Sequence, residues 1–252
     1  MTDEELLLKK RFIELAKKSD ERSYFTFTDF LGLAERSIFA EAKTSLCKVS
    51  FTEYGGAEGC ERVMIRFGNE EELGYSEPFP ITVLKIEPRA AKFADKLTHR
   101  DFLGSILSLG IERSTLGDIV IRDNVGYLFA KDDMASYIAD SLTKIKHTDV
   151  KVTLGASLPE GELYKTERIK IQLLGERIDA AVAKVFNLSR DDSLSYFKKR
   201  LVFVGGKLCE NNSYTPKQNE VISVRGLGRF IYLGASGTTK KGRTIIEIDK
   251  FV

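Results

Sequence analysis

The sequence is poor in the residues that build disulfide frameworks and metal centres. Its three cysteines, Cys47, Cys60 and Cys209, are scattered without a C-x-x-C pair, and its only histidines are His99 and His147. That excludes a disulfide-stapled scaffold and a structural zinc site, and it points to a reducing compartment, the cytoplasm. Long apolar runs are missing too: none approaches the roughly 20 residues that a membrane span needs. Met1-Thr2-Asp3-Glu4-Glu5 is acidic where a signal peptide would be basic, and no small-residue cleavage site follows it. The signatures of common chemistry are equally absent. Gly205-Gly206-Lys207 and Gly237-Thr238-Thr239-Lys240 lack P-loop spacing, and there is no H-E-x-x-H, no Ser/His/Asp set and no placeable carboxylate pair. His99-Arg100-Asp101 has the letters of a kinase catalytic loop, but no Gly-rich loop precedes it and no D-F-G follows. The expectation is a protein that is not an enzyme, with no cofactor, no metal, no small-molecule substrate and no membrane partner.

What the chain does have is charge, unevenly spread. The whole sequence carries a net +2. From residue 168 onward there are 16 Lys+Arg against 8 Asp+Glu, or +8, which leaves 23 against 29, or −6, in the remainder. A basic last third beside a mildly acidic body indicates a module that meets a polyanion and a body that does not do so strongly.

Periodicity divides the chain into four stretches of an α+β protein. Residues 1–79 hold two helices, about Asp3–Lys18 and about Thr28–Lys43 with Thr28 as N-cap. A hairpin follows, Ser45–Tyr54 and Cys60–Phe67 around Gly55-Gly56, and then a solvated acidic loop from Asn69 to Glu77. Residues 80–155 read β-α-β-β-α-β. The first strand is Ile81–Ile86, and a helix capped by Thr98 runs to Leu109 and stops at Gly110. Asp118–Arg122 and Val125–Ala130 turn at Asp123-Asn124, a helix runs from Asp132 or Asp133 to about Ile145, and Val150–Leu154 closes the order. That is the ferredoxin-like split also used by RRM domains. Gly126-Tyr127-Leu128-Phe129 fits the third-strand pattern whose aromatics stack bases, so Tyr127 and Phe129 are candidates for a secondary RNA contact. Core packing is the competing reading, because Ile81-Thr82-Val83-Leu84 offers no second aromatic. Residues 156–167 are a polar linker, and residues 168–252 form a small basic α/β domain.

In that domain Ile178, Val182, Val185 and Phe186 make one helical stripe. Ser189 opens a second helix, with Asp192 as its first-turn partner. Leu194, Phe197 and Leu201 point inward, while Tyr196, Lys199 and Arg200 point the other way with Lys198 on the flank. A strand Leu201–Val204, the Gly205-Gly206 turn, Lys207, a polar loop and a last strand Val221–Arg225 follow. Arg177 and Arg190 sit at the two helix starts, where free N–H groups and the dipole favour an anion. These residues, with Arg225, Arg229, Lys240 and Lys241, are the candidate RNA contacts, made mainly through phosphates.

The words Arg177-Ile178-Asp179, Ser189-Arg190, Val202-Phe203-Val204-Gly205-Gly206-Lys207 and Glu220-Val221-Ile222-Ser223-Val224 resemble the RNA-binding domain named after small-subunit ribosomal protein S-four. Two departures stand out: Gly205 replaces an asparagine, and Arg200 replaces the glycine that usually ends the second helix, a position where the chain wants φ > 0. Together with Leu97–Ile121 and the tail Val224–Phe230 with Lys240-Lys241, the chain resembles the YlmH family, which pairs an RRM-like front domain with a C-terminal S-four domain. The resemblance implies an RNA-binding protein attached to translation, acting on ribosomal or transfer RNA at the large ribosomal subunit in the rescue of stalled complexes. Neighbouring cell-division genes are context rather than mechanism. Two alternatives compete: a protein-interaction adaptor linked to cell division, and an RNA-modifying enzyme of pseudouridine-synthase type. The second is weakened because Asp179 falls inside a helix, no T-x-G-L-L follows, and the synthetase signatures are absent.

Overall fold

The computed structural model describes residues 2–46, 49–161 and 163–251, so Cys47 and the part of the expected first hairpin strand at 47–48 lie outside the described residues. The described residues are mixed α/β with antiparallel sheets and form two compact units, Met1–Leu163 and Tyr164–Val252. None of their helices is long and apolar enough to cross a membrane.

Unit 1 begins with α1 (Asp3–Arg22), started by a Thr2/Glu5 capping box, which buries Phe12, Leu15, Ala16 and Ser19 on one stripe. Then come β1 (Thr26–Phe27), α2 (Leu33–Ala42), β2 (Phe51–Tyr54), β3 (Met64–Phe67) and the short α3 (Glu70–Leu73). The strand order is β1-β3-β2, with α1 and α2 packed against it through Phe12, Phe39, Ile65 and Phe67. Three expectations are corrected here. Thr28 is not a helix cap: its hydroxyl donates to the Asp29 carbonyl and accepts from Ile65 N–H, so it pins an extended segment, and Gly32 caps α2 instead. The strand expected from Ser45 starts at Phe51, because Lys43–Ser45 is a 3-10 turn. Part of the acidic loop coils into α3, capped by Asn69.

The second sheet follows as β4 (Ile81–Pro88), α4 (His99–Leu107), β5 (Leu116–Arg122), β6 (Val125–Lys131), α5 (Asp132–Ser141), β7 (Lys144–Ile145) and β8 (Thr148–Leu154). All pairings are antiparallel in the order β5-β6-β4-β8-β7. Asp123 and Asn124 take φ of 48° and 64°, the left-handed pair that a two-residue hairpin requires. The helix expected to reach Ile145 stops at Ser141, and Lys144–Ile145 instead pairs with Thr148–Asp149. Helices α4 and α5 cover one face, where Phe102, Ile106, Ala135 and Ile138 meet Leu84, Ile86, Leu128 and Ala130. A Cβ on Gly126 would lie 2.5 Å from the Phe102 ring, so glycine lets the helix approach the strand.

Residues 27–30 and 57–64 cover the other face. Phe30 and Met64 pack on Val120 and Phe129, with Ala57, Ile81 and Tyr127 around them. Gly56, at φ 104°, lies with its backbone against the Phe129 ring. Asp118 on β5 accepts from the backbone N–H of Glu61 at 2.6 Å and of Arg62 at 3.3 Å. The Arg62 guanidinium donates to the carbonyls of Leu116 and Phe30, each at 2.9 Å. Burial, then Asp118, pushes the Cys60 thiol up to about 12, so it stays neutral.

Unit 2 contains β9 (Thr166–Leu173), α6 (Ile178–Val185), α7 (Arg190–Lys198), β10 (Val202–Val204), β11 (Lys207–Leu208), β12 (Glu220–Val224), β13 (Gly228–Thr238) and β14 (Thr244–Phe251). The sheet runs β11-β10-β12-β13-β14-β9. The strand ending near Arg225 is therefore not the last: β13 and β14 form a long hairpin, and β9, starting inside the stretch read as linker, pairs with β14 from Thr166↔Phe251 to Leu173↔Thr244. Ile178, Val182, Val185 and Phe197 pack onto Val202, Ile222, Val224, Phe230, Ile246 and Ile248, so α6 and α7 lie on one face of this sheet.

Candidate nucleic-acid interface

Local backbone chemistry sets the cationic elements of unit 2. Ser189 caps α7: its hydroxyl accepts from Asp192 N–H at 3.1 Å and donates to the Asp192 carboxylate at 2.6 Å. That leaves Arg190 exposed in the first turn, beside orphan N–H groups. The helix ends at Lys198, and Arg200 takes φ 59°, the left-handed stop expected where a glycine is usual. Lys198, Lys199 and Arg200 are exposed at that end, with Arg200 3.6 Å from Glu210 across solvent. Gly205 and Gly206, at φ 54° and 79°, form the tight turn that carries exposed Lys207. Arg225 N–H donates to the Leu201 carbonyl at 2.9 Å, which brings Arg225 beside the end of α7, and its guanidinium stacks 4.5 Å above the Phe203 ring.

Other candidates stand differently. Arg177 caps α6, but its guanidinium is committed to Asp179, with Nε–Oδ1 at 3.0 Å and Nη2–Oδ2 at 2.6 Å. Asp179 is buried and also accepts from Ala180 N–H and Asn212; burial acts to raise its pKa, yet Arg177 and these donors hold the carboxyl below its ordinary value. Ser193 donates to the Asp179 carbonyl in the core. Asp179 is thus the pin joining α6, α7 and the loop before β12, not a free carboxylate. Tyr196 does not stand out among the cations as its helical position suggests: it is half-buried against the core, because α7 is flanked by α6 as well as the sheet. Arg229 is half-buried between the rings of Phe251, at 4.2 Å, and Tyr164, at 4.9 Å, and burial lowers its pKa. Lys240 and Lys241 are exposed at the β13–β14 tip, away from α7 in the strand order.

A groove of about 520 Å³ lies between the β9–α6 connection, α6 and the start of α7. Arg177 and Arg190 line it, together with Lys184, Arg243 and Leu174, which the sequence reading did not single out. Lys184 was findable: Ala180, Ala183, Lys184 and Asn187 form the stripe opposite Ile178–Val182–Val185. Arg243 was not, since only the β13–β14 hairpin brings it there. Tyr127 is half-buried and Phe129 has no exposure at all, so the sheet face that would stack bases is occupied by residues 27–30 and 57–64 of the same unit. Phe129 is removed from the candidate contacts by that cover. Among the described residues no three His, Cys, Asp or Glu side chains gather as a metal site would need.

Residues 75–156, which contain the whole β4–β8 sheet, match a family model described as the putative RNA-binding domain in YlmH. Over 245 residues the chain is 26% identical to the ribosome-associated protein quality control protein P2 of Bacillus subtilis (strain 168), an alignment spanning 94% of this chain and 92% of that protein. Among solved structures, the cell division protein ylmH from Streptococcus pneumoniae is similar at 20% identity and a TM-score of 0.49, covering 61% of this chain and 92% of that one. With a domain match centred on the front sheet and a relative aligned along nearly its full length, the chain is similar to YlmH proteins.

Proposed function

We propose that this protein is a non-catalytic, cytoplasmic RNA-binding protein whose C-terminal unit grips structured RNA, ribosomal or transfer, at the large ribosomal subunit. The observation that carries the reading is the group of exposed cations at the end of α7 and the adjoining strands: Lys198, Lys199, Arg200, Lys207 and Arg225, with Arg190 at the helix start. They recur at helix ends and turns, where backbone geometry presents them outward, in a unit of net charge +8. The helix-helix-hairpin order of residues 178–208 supports the S-four reading of a domain at 168–252, and the order of the front sheet supports the ferredoxin-like reading of residues 80–155. The ribosome-associated name of the Bacillus relative supports the partner. The committed state of Asp179 supports a binding role over a synthase.

Phosphate contact releases counterions, so affinity should fall steeply with salt, with a log–log slope of about −0.7 to −0.9 per phosphate neutralised. In the full chain, Lys198→Ala with Lys199→Ala should flatten the slope for a structured RNA by about 1 to 2. An unchanged slope would take the α7 end out of the interface.

A further inference from the structure

Residues 75–156 match a domain described as a putative RNA-binding domain, yet the sheet face that an RRM uses is filled by residues 27–30 and 57–64 of the same unit. The remaining surface of that domain contains one aromatic side chain with no intramolecular account. Phe93, in the 3-10 turn Ala91–Phe93 between β4 and α4, is 85% exposed, whereas the next most exposed aromatic among the described residues, Tyr137, is at 48%. An apolar ring left in water costs free energy unless something covers it.

We infer that unit 1 binds unpaired RNA at this loop, with Phe93 stacking on a base and Lys92 and Lys96 meeting the flanking phosphates. The inference rests on the RNA-binding reading of the protein but assigns a second, separate contact.

The loop is held in place, so the ring is presented and not merely loose. Arg89 donates its backbone N–H to Asp149 at 2.9 Å and its Nε to the Val150 carbonyl at 3.1 Å, fixing the near end to β8. Asp95 ties down the far end: its N–H donates to Thr148 Oγ1 at 2.8 Å, and its carboxylate accepts from His147 N–H at 3.2 Å. Asn124, in the β5–β6 turn, donates to the Asp95 carbonyl at 2.8 Å and accepts from Leu97 N–H at 2.7 Å. A ring on a pinned loop loses little conformational freedom when a ligand stacks on it.

Charge selects the ligand class. Residues 1–167 carry −6 overall, but Lys92 and Lys96, one and three residues from Phe93, are exposed and, among the described residues, make no ion pair. Asp95 brings the Lys146–His147 turn alongside them. Three of the neighbouring carboxylates are engaged, Asp95 by the loop itself, Asp101 by Lys146 at 2.7 Å and Asp149 by Lys144 at 3.7 Å, while Asp123 stands exposed in the β5–β6 turn. An aromatic platform between unpaired lysines matches the sequence-tolerant mode of single-strand binding, in which a ring stacks a base and cations follow the backbone.

The test uses the full chain with oligouridylate RNA as probe, read by fluorescence anisotropy. Phe93→Ala should weaken binding about five- to a hundred-fold, and Phe93→Trp should retain it. Lys92→Ala with Lys96→Ala should flatten the salt slope by about 1.4. Crosslinking of 4-thiouridine RNA should label the segment 89–100. Phe93→Ala that melts and binds oligouridylate like the parent would overturn the inference. The same silence accompanied by weaker co-sedimentation with ribosomal particles would overturn it as well, and would assign the ring to a protein partner. The Lys198/Lys199 variant separates the two readings. Loss there with Phe93→Ala silent sinks this inference and leaves the C-terminal one, and the reverse result does the opposite.

Discussion

In the front sheet, Phe129 on β6 points away from the helices and meets Phe30, Met64 and the backbone of Gly56, so no part of it reaches solvent. In the C-terminal sheet, Phe203 and Phe251 also alternate away from the helix-covered side, and each carries an arginine, Arg225 over the first and Arg229 over the second. The same residue type at the same kind of strand position thus has two fates. One ring is core, because a preceding segment of the chain folds over it. The others each hold a guanidinium group over the ring, 4.5 Å from the centroid at Phe203 and 4.2 Å at Phe251. An aromatic on a strand is therefore not by itself a stacking platform; what covers it decides.

The sharpest way to break that comparison is Phe129→Ala. It should destabilise unit 1 by about 3 to 5 kcal/mol in denaturant melts, as for other large buried rings, while RNA affinity per folded molecule stays unchanged. A stable variant with lost RNA binding would return Phe129 to the surface. A smaller effect is expected at Asp179→Asn, which breaks the two-pronged contact with Arg177 and should cost about 1 to 2 kcal/mol. The sign of its pH dependence follows from the lowered pKa. The carboxylate's contribution is present above the unfolded value near about 4, and is lost as pH falls through the lower folded value. The Asn variant should lack that acid loss. Smallest in stability is Arg225→Ala, at about 0.5 to 1 kcal/mol for an exposed cation–π pair, and it should reduce RNA affinity far more than it reduces the melting temperature. A variant that melts lower but binds RNA normally would make the Arg225–Phe203 pair structural and erase the contrast between the two sheets.

Much of this was readable in local chemistry. The Thr98 cap, the Asp123-Asn124 and Gly205-Gly206 turns, the left-handed Arg200 and the two helices around Ser189 are decided by neighbours within a few residues, and the structure has them. Strands β9, β13 and β14 were not legible, because Thr166 pairs with Phe251 and no window around residue 166 contains that partner. The two-residue β1 and β7 are too short to show alternation, and Lys144–Ile145 was absorbed into the preceding helical pattern. Tyr196 was misplaced because a helical wheel assigns one buried stripe, whereas α7 has covers on two sides.

The sequence by itself determined the Asp123-Asn124 and Gly205-Gly206 turns, the Thr98 and Ser189 caps, the buried stripe of α6 and the concentration of positive charge after residue 168, since each depends on residue type and near-neighbour spacing. Only the tertiary structure decided which of those groups are available: Arg243 is brought to the α6 groove by a distant hairpin, Arg177 is engaged by Asp179, Phe129 is covered and Phe93 is left bare. Exposure is set by what packs from far along the chain, and no local pattern carries that information.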